Sequence, residues 1–316
     1  MPEENKESSA IRDGFGKGLI GAGEKDERIV VLSADVTEST RCHWFAEKFP
    51  ERFIELGVAE QNMVTVAAGL ANYGKIPFIS TYAVFSPGRN WEQIRTTVCL
   101  NNVPVKIAGH HGGVSVGPDG ATHQALEDIA MMRVLPNMVV IVPCDAIEAQ
   151  KATVAIALNG KPSYIRLQRE KTPVLTIPED KFEIGEANVL RPGRDVSIIS
   201  CGSILAEVLT AVEKLAKENI DAEVINCHTI KPLDEKTILD SVKKTGVVVS
   251  AEEHQIFGGL GSAIAELLSQ KMPVPQEFIG LHDQFGESGK PEELAAKYQL
   301  DSNSIIEAVK KVISRK

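Results

Sequence analysis

No stretch of the 316-residue chain reaches the roughly 18 consecutive apolar residues that a membrane-spanning helix needs. The first residues, MPEENKESS, are acidic and polar, so neither a signal peptide nor an anchor is expected. CxxC pairs are absent too. The five cysteines (Cys42, Cys99, Cys144, Cys201 and Cys227) are odd in number and widely spaced, which speaks against a disulfide framework and a thiolate metal site and fits a reducing cytoplasm. They read as small apolar residues. Positive charge is in deficit: 34 Lys and Arg against 43 Asp and Glu leave a net charge of -9. General DNA or RNA binding is thereby excluded, because that attraction needs a cationic surface, whereas a local basic pocket for a phosphate is compatible. The GK pairs at 16, 74, 160 and 289 are followed by Gly, Ile, Pro and Pro, so there is no Walker nucleotide loop. GKGLIG, residues 16–21, satisfies the bare GxGxxG expression, but no strand precedes it and it falls inside a helical stretch. A dinucleotide-binding loop is rejected on that ground. No repeat of fixed period and no low-complexity segment is present.

What is present is an ordinary globular composition, 43% hydrophobic and 24% charged, in a chain long enough for two domains at roughly 150 residues each. Short β-branched runs at 29–35, 53–58, 77–81, 103–109, 138–143 and 163–167 read as strands buried on both faces. Helical spacing lies between them, as at 60–73 and 123–135. Strand and helix in alternation imply a doubly wound, mainly parallel sheet. The proline-punctuated stretch QREKTPVLTIPEDKFEIGEANVLRPG breaks the pattern and reads as a linker with one edge strand. Alternation then restarts with strands at 195–201, 222–227, 246–253 and 277–281 and helices beginning near Ser203, Asp234, Gly259 and Pro291. Apolar residues at 305, 306, 309, 312 and 313 give the tail the stripe of an amphipathic helix. The expected organisation is α/β: a first domain over 1–172, a linker over 173–192 and a smaller second domain over 193–316.

Two segments carry candidate chemistry. In ELGVAEQNM, residues 55–63, a strand ends and Glu60 opens the next helix, at the carboxyl edge where open α/β sheets bind ligands. Helix-end electrostatics alone also favours an acid there, so Glu60 by itself decides nothing. After the strand VPVKIAG, the loop HHGGVSVGPDGATHQALED gathers His111, Asp119 and His123 among Gly112, Gly113, Gly117 and Gly120. Long loops at strand ends are usually functional. A zinc site is the rival use of these side chains, but their spacing matches no metal motif, and no residue is assigned to a metal. GGLGS, residues 258–262, sits between strand and helix and reads as a tight turn before it reads as an anion cradle.

In this order, GVAEQNM, TYAVFSPGRNWEQIR and HHGGVSVGPDGATHQALEDIAMMRVLPNMVVIVPCD resemble the thiamine diphosphate pyrimidine-binding domain of transketolases, and DQFGESGKPEELAAKYQL resembles that family's C-terminal domain. The family's GDG followed by NN, which holds Mg2+ and the cofactor diphosphate, has no counterpart here. The resemblance is therefore to the C-terminal subunit of a split transketolase. It implies thiamine diphosphate as cofactor and Mg2+, or another divalent ion, held by an N-terminal diphosphate-binding partner subunit. It also implies self-association in an α2β2 heterotetramer, sugar phosphate substrates and an inactive isolated chain.

By resemblance, Glu60 takes the place of the catalytic glutamate that hydrogen-bonds the aminopyrimidine and promotes the nucleophile at the thiazolium. That role needs a dry carboxyl able to carry or share a proton. Tyr82 and Phe85 match two of three family aromatics around the pyrimidine, and the third position is Gly88. Asp35 matches an aspartate on the cofactor side, with a helix cap as its plain alternative. Asp119 and His123 match residues that bind sugar hydroxyls near the reacting carbons, His123 with a catalytic role. Arg12, Ser39, His111 and Arg169 match the phosphate-binding set; a guanidinium grips phosphate bidentately. The activity implied is transfer of a two-carbon ketol unit from a ketose phosphate to an aldose phosphate. The spacing RLQR, with Arg166, is closer to deoxyxylulose phosphate synthases. Such a synthase, the β subunit of a 2-oxo acid dehydrogenase and a catalytically silent binding or regulatory homologue are the alternatives.

Overall fold

The computed structural model describes residues 7–316. Seven strands form the first sheet, in the order Thr229–Lys231, Val139–Ile141, Ser163–Leu167, Lys106–His110, Ile76–Tyr82, Ile29–Ser33 and Phe53–Glu55. All neighbours run parallel except Thr229–Lys231, which pairs antiparallel with Val139–Ile141. The inner strands are buried along their length because helices cover both faces. Phe53–Glu55 differs from the expectation of full burial: as the edge strand it is half-buried.

Gly14, and Gly18 within GKGLIG, have a packing purpose. They lie in the helix Ile11–Lys25, which crosses Ala146–Leu158 so closely that a Cβ on Gly14 would sit 1.8 Å from the Ala146 carbonyl oxygen. A Cβ on Gly18 would meet Thr153 Cβ at 2.6 Å. Beneath them Phe15, Leu19, Val31, Phe45 and Phe78 fill the core.

The second sheet runs Gln276–Leu281, Val248–Gln255, Val196–Ser200, Ala222–Asn226 and Asn188–Arg191, parallel except for the last strand. The tail forms the helix Ser302–Ile313, capped by the Asp301 carboxylate accepting from the Ser304 N–H at 3.0 Å, and it buries Ile305, Val309 and Val312. The proline-rich stretch holds two short strands where one was expected: Asn188–Arg191 is the edge strand of this sheet, and Lys171–Pro173 pairs antiparallel with Ser8–Ala10.

Two further features depart from the sequence reading. Thr229–Lys231 crosses over to complete the first sheet; three residues before Pro232 are too short for a hydrophobic period to register. The helix expected over 123–135 starts only at Asp128, running Asp128–Arg133. Residues 123–127 are used otherwise: Gly112 and Ala125 form a β-bridge, and the Gln124 amide donates to the Val114 and Glu287 carbonyls at 3.2 and 3.0 Å. Among the described residues no helix is long and apolar enough to cross a membrane.

Candidate active site at the carboxyl edge of the first sheet

Four neighbouring strands, Phe53–Glu55, Ile29–Ser33, Ile76–Tyr82 and Lys106–His110, release their chains at one edge. Those exits carry Glu60, Asp35, Tyr82 and His111 respectively. Glu60 is the first residue of the helix Glu60–Asn72 and is 4% exposed. Its two carboxylate oxygens accept from Arg89 Nη1 at 3.0 and 3.2 Å. The Asn90 amide donates to the Glu60 carbonyl at 3.2 Å, and the Gln61 amide donates to the Arg89 carbonyl at 3.2 Å, so the turn 86–90 is fastened to the start of the helix.

Beside this carboxylate the Tyr82 and Phe85 rings stack nearly parallel, with centroids 5.9 Å apart and planes at 24°, forming an apolar aromatic pair. His123 approaches the Phe85 ring edge-on at 5.5 Å, its Nδ1 2.9 Å from the Thr122 hydroxyl. His111 meets the Tyr82 ring at 4.1 Å. A depression of about 450 Å³, lined by Val58, Ala59, Glu60, Gln61, Asn62 and Arg89, opens in front of the carboxylate.

The cationic part lies on the far side of Tyr82. Arg12 Nη1 is 3.4 Å from His111 Nε2 and donates to the Ser39 carbonyl oxygen at 3.0 Å. Burial, reinforced by Arg41, lowers the Arg12 pKa. Burial, then the Arg12 and Arg169 charges, push His111 down to about 3, leaving a neutral imidazole. His111 also holds a left-handed backbone, φ 57°, uncommon for a non-glycine residue and typical of constrained sites. Among the described residues, Arg12 Nε and His111 Nδ1 are buried without a hydrogen-bond partner, as expected where a polar ligand is to complete the set. Arg169 faces Asp119 at 3.6 Å and donates to the Val116 carbonyl at 3.1 Å.

The sequence-predicted residues thus converge, with two qualifications. Ser39 joins through its carbonyl oxygen, not its hydroxyl. Asp35 stays on the same edge, but among the described residues its carboxylate makes no hydrogen bond; its N–H donates to Glu55 Oε1 at 2.8 Å. Glu55 also accepts from the Gly57 N–H and the Thr37 hydroxyl; burial opposes its charge, but these donors lower its pKa on balance.

Sequence reasoning missed Arg89, Arg41 and Glu253. Arg89 directly follows Gly88 and had no pattern of its own. Arg41, beside Arg12, is held by Asp13 at 2.6 Å. Glu253 comes from the second sheet: its carboxylate accepts from the Ser115 N–H at 2.6 Å, the Ser115 hydroxyl at 3.2 Å and the Gln168 amide at 2.7 Å. Arg166 and Gln168 of the RLQR stretch are likewise absorbed by packing. Arg166 is 1% exposed, donating to Asp128 at 2.9 Å and to the Ala125 and Glu253 carbonyls, so its guanidinium is engaged within the fold. At GGLGS the anion is the chain's own: Glu252 accepts from the Leu260 and Gly261 N–H groups, both at 2.8 Å.

Residues 7–174 match the family description "Transketolase, pyrimidine binding domain", and residues 185–305 match "Transketolase, C-terminal domain". The chain belongs to the transketolase family. A 6-deoxy-6-sulfo-D-fructose transketolase subunit of Clostridium sp. is 40% identical, the alignment covering 99% of this chain and 98% of that protein. One subunit of an apulose-4-phosphate transketolase of Phocaeicola vulgatus is 36% identical over 96% of this chain and 98% of its own length. Among solved structures, one titled as a split gene transketolase, inactive beta4 tetramer, superposes with a TM-score of 0.92 at 45% identity, covering 97% of this chain and 99% of that one. This transketolase-family chain thus has the extent of a C-terminal subunit. The family depends on thiamine diphosphate, and the residues present fit its pyrimidine end: an apolar aromatic pair, Tyr82 and Phe85, beside a buried carboxylate, Glu60.

Proposed function

We propose that this chain is the C-terminal subunit of a thiamine diphosphate-dependent transketolase that moves a two-carbon ketol unit from a ketose phosphate to an aldose phosphate. It acts only with an N-terminal partner subunit that holds the diphosphate and Mg2+ or another divalent ion. The observation that carries the reading is the joining, through Tyr82, of two halves of one site: the Glu60 carboxylate with its aromatic platform, and the Arg12, His111 and Arg169 cluster.

When bound, the cofactor supplies the carbon nucleophile that takes up the donor ketose. Glu60 would hold the pyrimidine through its carboxyl group and pass it a proton, in a pocket dry enough for that exchange. Tyr82 and Phe85 would face the ring, and Asp35 would border it from the neighbouring strand exit. His123, held beside the platform, would bind and exchange protons with sugar hydroxyls, and Asp119 would bind hydroxyls near the reacting carbons. Arg12 and Arg169 would grip the phosphate, with neutral His111 donating a hydrogen bond and the Ser39 carbonyl aiming Arg12.

The relatives act, by their names, on 6-deoxy-6-sulfo-D-fructose and on apulose 4-phosphate, so a common anionic end with a variable sugar is the expected substrate class. The assembly expected is an α2β2 heterotetramer in the cytoplasm. Ketol transfer from xylulose 5-phosphate to ribose 5-phosphate, measured for the pure chain and for the chain co-expressed with its diphosphate-domain subunit, tests the reading. Activity is expected only in the complex.

A further inference from the structure

The Arg89 guanidinium lies 4.2 Å from the centroid of the Phe85 ring while its Nη1 donates to both Glu60 oxygens. A stacking face and a hydrogen-bonding carboxylate are the two contacts that the proposed function reserves for an aminopyrimidine. A guanidinium is planar, delocalised and rich in N–H donors, so it satisfies both as a flat heterocycle would. Residue 88 leaves this space to Arg89: a Cβ on Gly88 would lie 1.9 Å from the Val84 carbonyl oxygen, so no aromatic side chain fits there while the backbone keeps this course.

The backbone of Arg89 is fixed, its N–H donating to the Phe85 carbonyl at 2.9 Å and its carbonyl accepting from Gln61. Its side chain is not. Half-exposed, it is held among the described residues only by Glu60 and Phe85, and it borders the depression lined by Val58, Gln61 and Asn62.

We infer that Arg89 is a placeholder: in the cofactor-free subunit its guanidinium occupies the pyrimidine position on Phe85 and Glu60, and it must swing into the depression before thiamine diphosphate can seat. This rests on the thiamine diphosphate reading above. Arg89 is then a determinant of cofactor affinity, keeping a dry carboxylate paired until the cofactor replaces it. Cofactor binding carries the added work of breaking an exposed ion pair and a stacked cation, interactions each modest in strength.

The test is calorimetric titration of thiamine diphosphate, with Mg2+, into the complex of this chain and its diphosphate-binding subunit. The chain is supplied as wild type, Arg89→Met, Arg89→Lys or Glu60→Gln. Arg89→Met keeps the stem and removes the plane and the charge, and is expected to tighten binding about tenfold. Arg89→Lys keeps the charge without the plane and should fall between, and Glu60→Gln should weaken binding. Measurable wild-type binding that Arg89→Met leaves unchanged or weakens overturns the placeholder and leaves the cofactor reading standing. Absence of binding in wild type and every variant overturns both.

Discussion

His111 shows how far a single side chain is set by its surroundings. Burial, followed by the charges of Arg12 and Arg169, lowers it from 6.5 to about 3. Between those values the unfolded chain takes up a proton that the folded chain refuses, so stability is fully present above pH 6.5 and is lost as pH falls toward 3. His228, lowered by burial to about 4, and His110, held well below its ordinary value chiefly by burial, act in the same sense. Each group adds up to about 1.4 kcal/mol per pH unit to the slope. His111→Asn tolerates the left-handed backbone and should make the slope of urea-unfolding stability between pH 6.5 and 4.5 shallower by one group's share. An unchanged slope would show that His111 is solvated and protonated in the folded chain. At this scale much of the site is legible in the sequence, because Glu60 and the glycine-rich loop with His111, Asp119 and His123 stand directly after strands. Arg89 and Glu253 are not: the first acquires meaning only from its position over Phe85, the second from contact across 138 residues of chain.

Among the elements, the helix pair Ile11–Lys25 and Ala146–Leu158 has the tightest tolerance. Gly14→Ala places a methyl group inside contact distance of a backbone oxygen that cannot rotate away. The helices must separate, and overpacking of this kind costs about 1–3 kcal/mol or more. A clear drop in Tm is expected from Gly14→Ala, whereas Gly21→Ala, whose Cβ would find its nearest neighbour only at 4.0 Å, should be neutral or mildly stabilising. Equal effects would refute the packing account. The strands were legible from β-branched runs and their spacing, down to Ser163–Leu167 and Val196–Ser200 with bounds almost unchanged. Thr229–Lys231 was not, since its pairing is decided by the open edge of a sheet far away in sequence, and the 123–135 stripe overreached because residues 123–127 serve the loop instead.

Across the whole molecule, the second sheet braces the site in the first. Glu253 grips Ser115 on the loop between His111 and Asp119, and a Cβ on Gly113 would come within 2.3 Å of the Glu253 carboxyl, so the fit leaves no slack. The Arg166 and Asp128 pair closes the same seam; burial opposes its charge, but Asp128, with Glu253, raises the Arg166 pKa on balance. Glu253→Ala leaves the Ser115 N–H and the Gln168 amide unpaired, at a cost on the order of 1–3 kcal/mol for each buried group. Amide hydrogen exchange should quicken across 111–120 and stay unchanged across Glu60–Asn72; uniform exchange across both would contradict the brace.

The central claim is that this chain supplies the pyrimidine half of a site completed by another subunit. Its most direct test is ketol transfer from xylulose 5-phosphate to ribose 5-phosphate, with thiamine diphosphate and Mg2+, by the co-expressed complex carrying wild-type chain or Glu60→Gln. Transfer by the wild-type complex is expected, with none by the pure chain and a loss on the order of 10²–10⁴-fold in Glu60→Gln. Transfer by the pure chain, or a complex that Glu60→Gln leaves fully active, would contradict it.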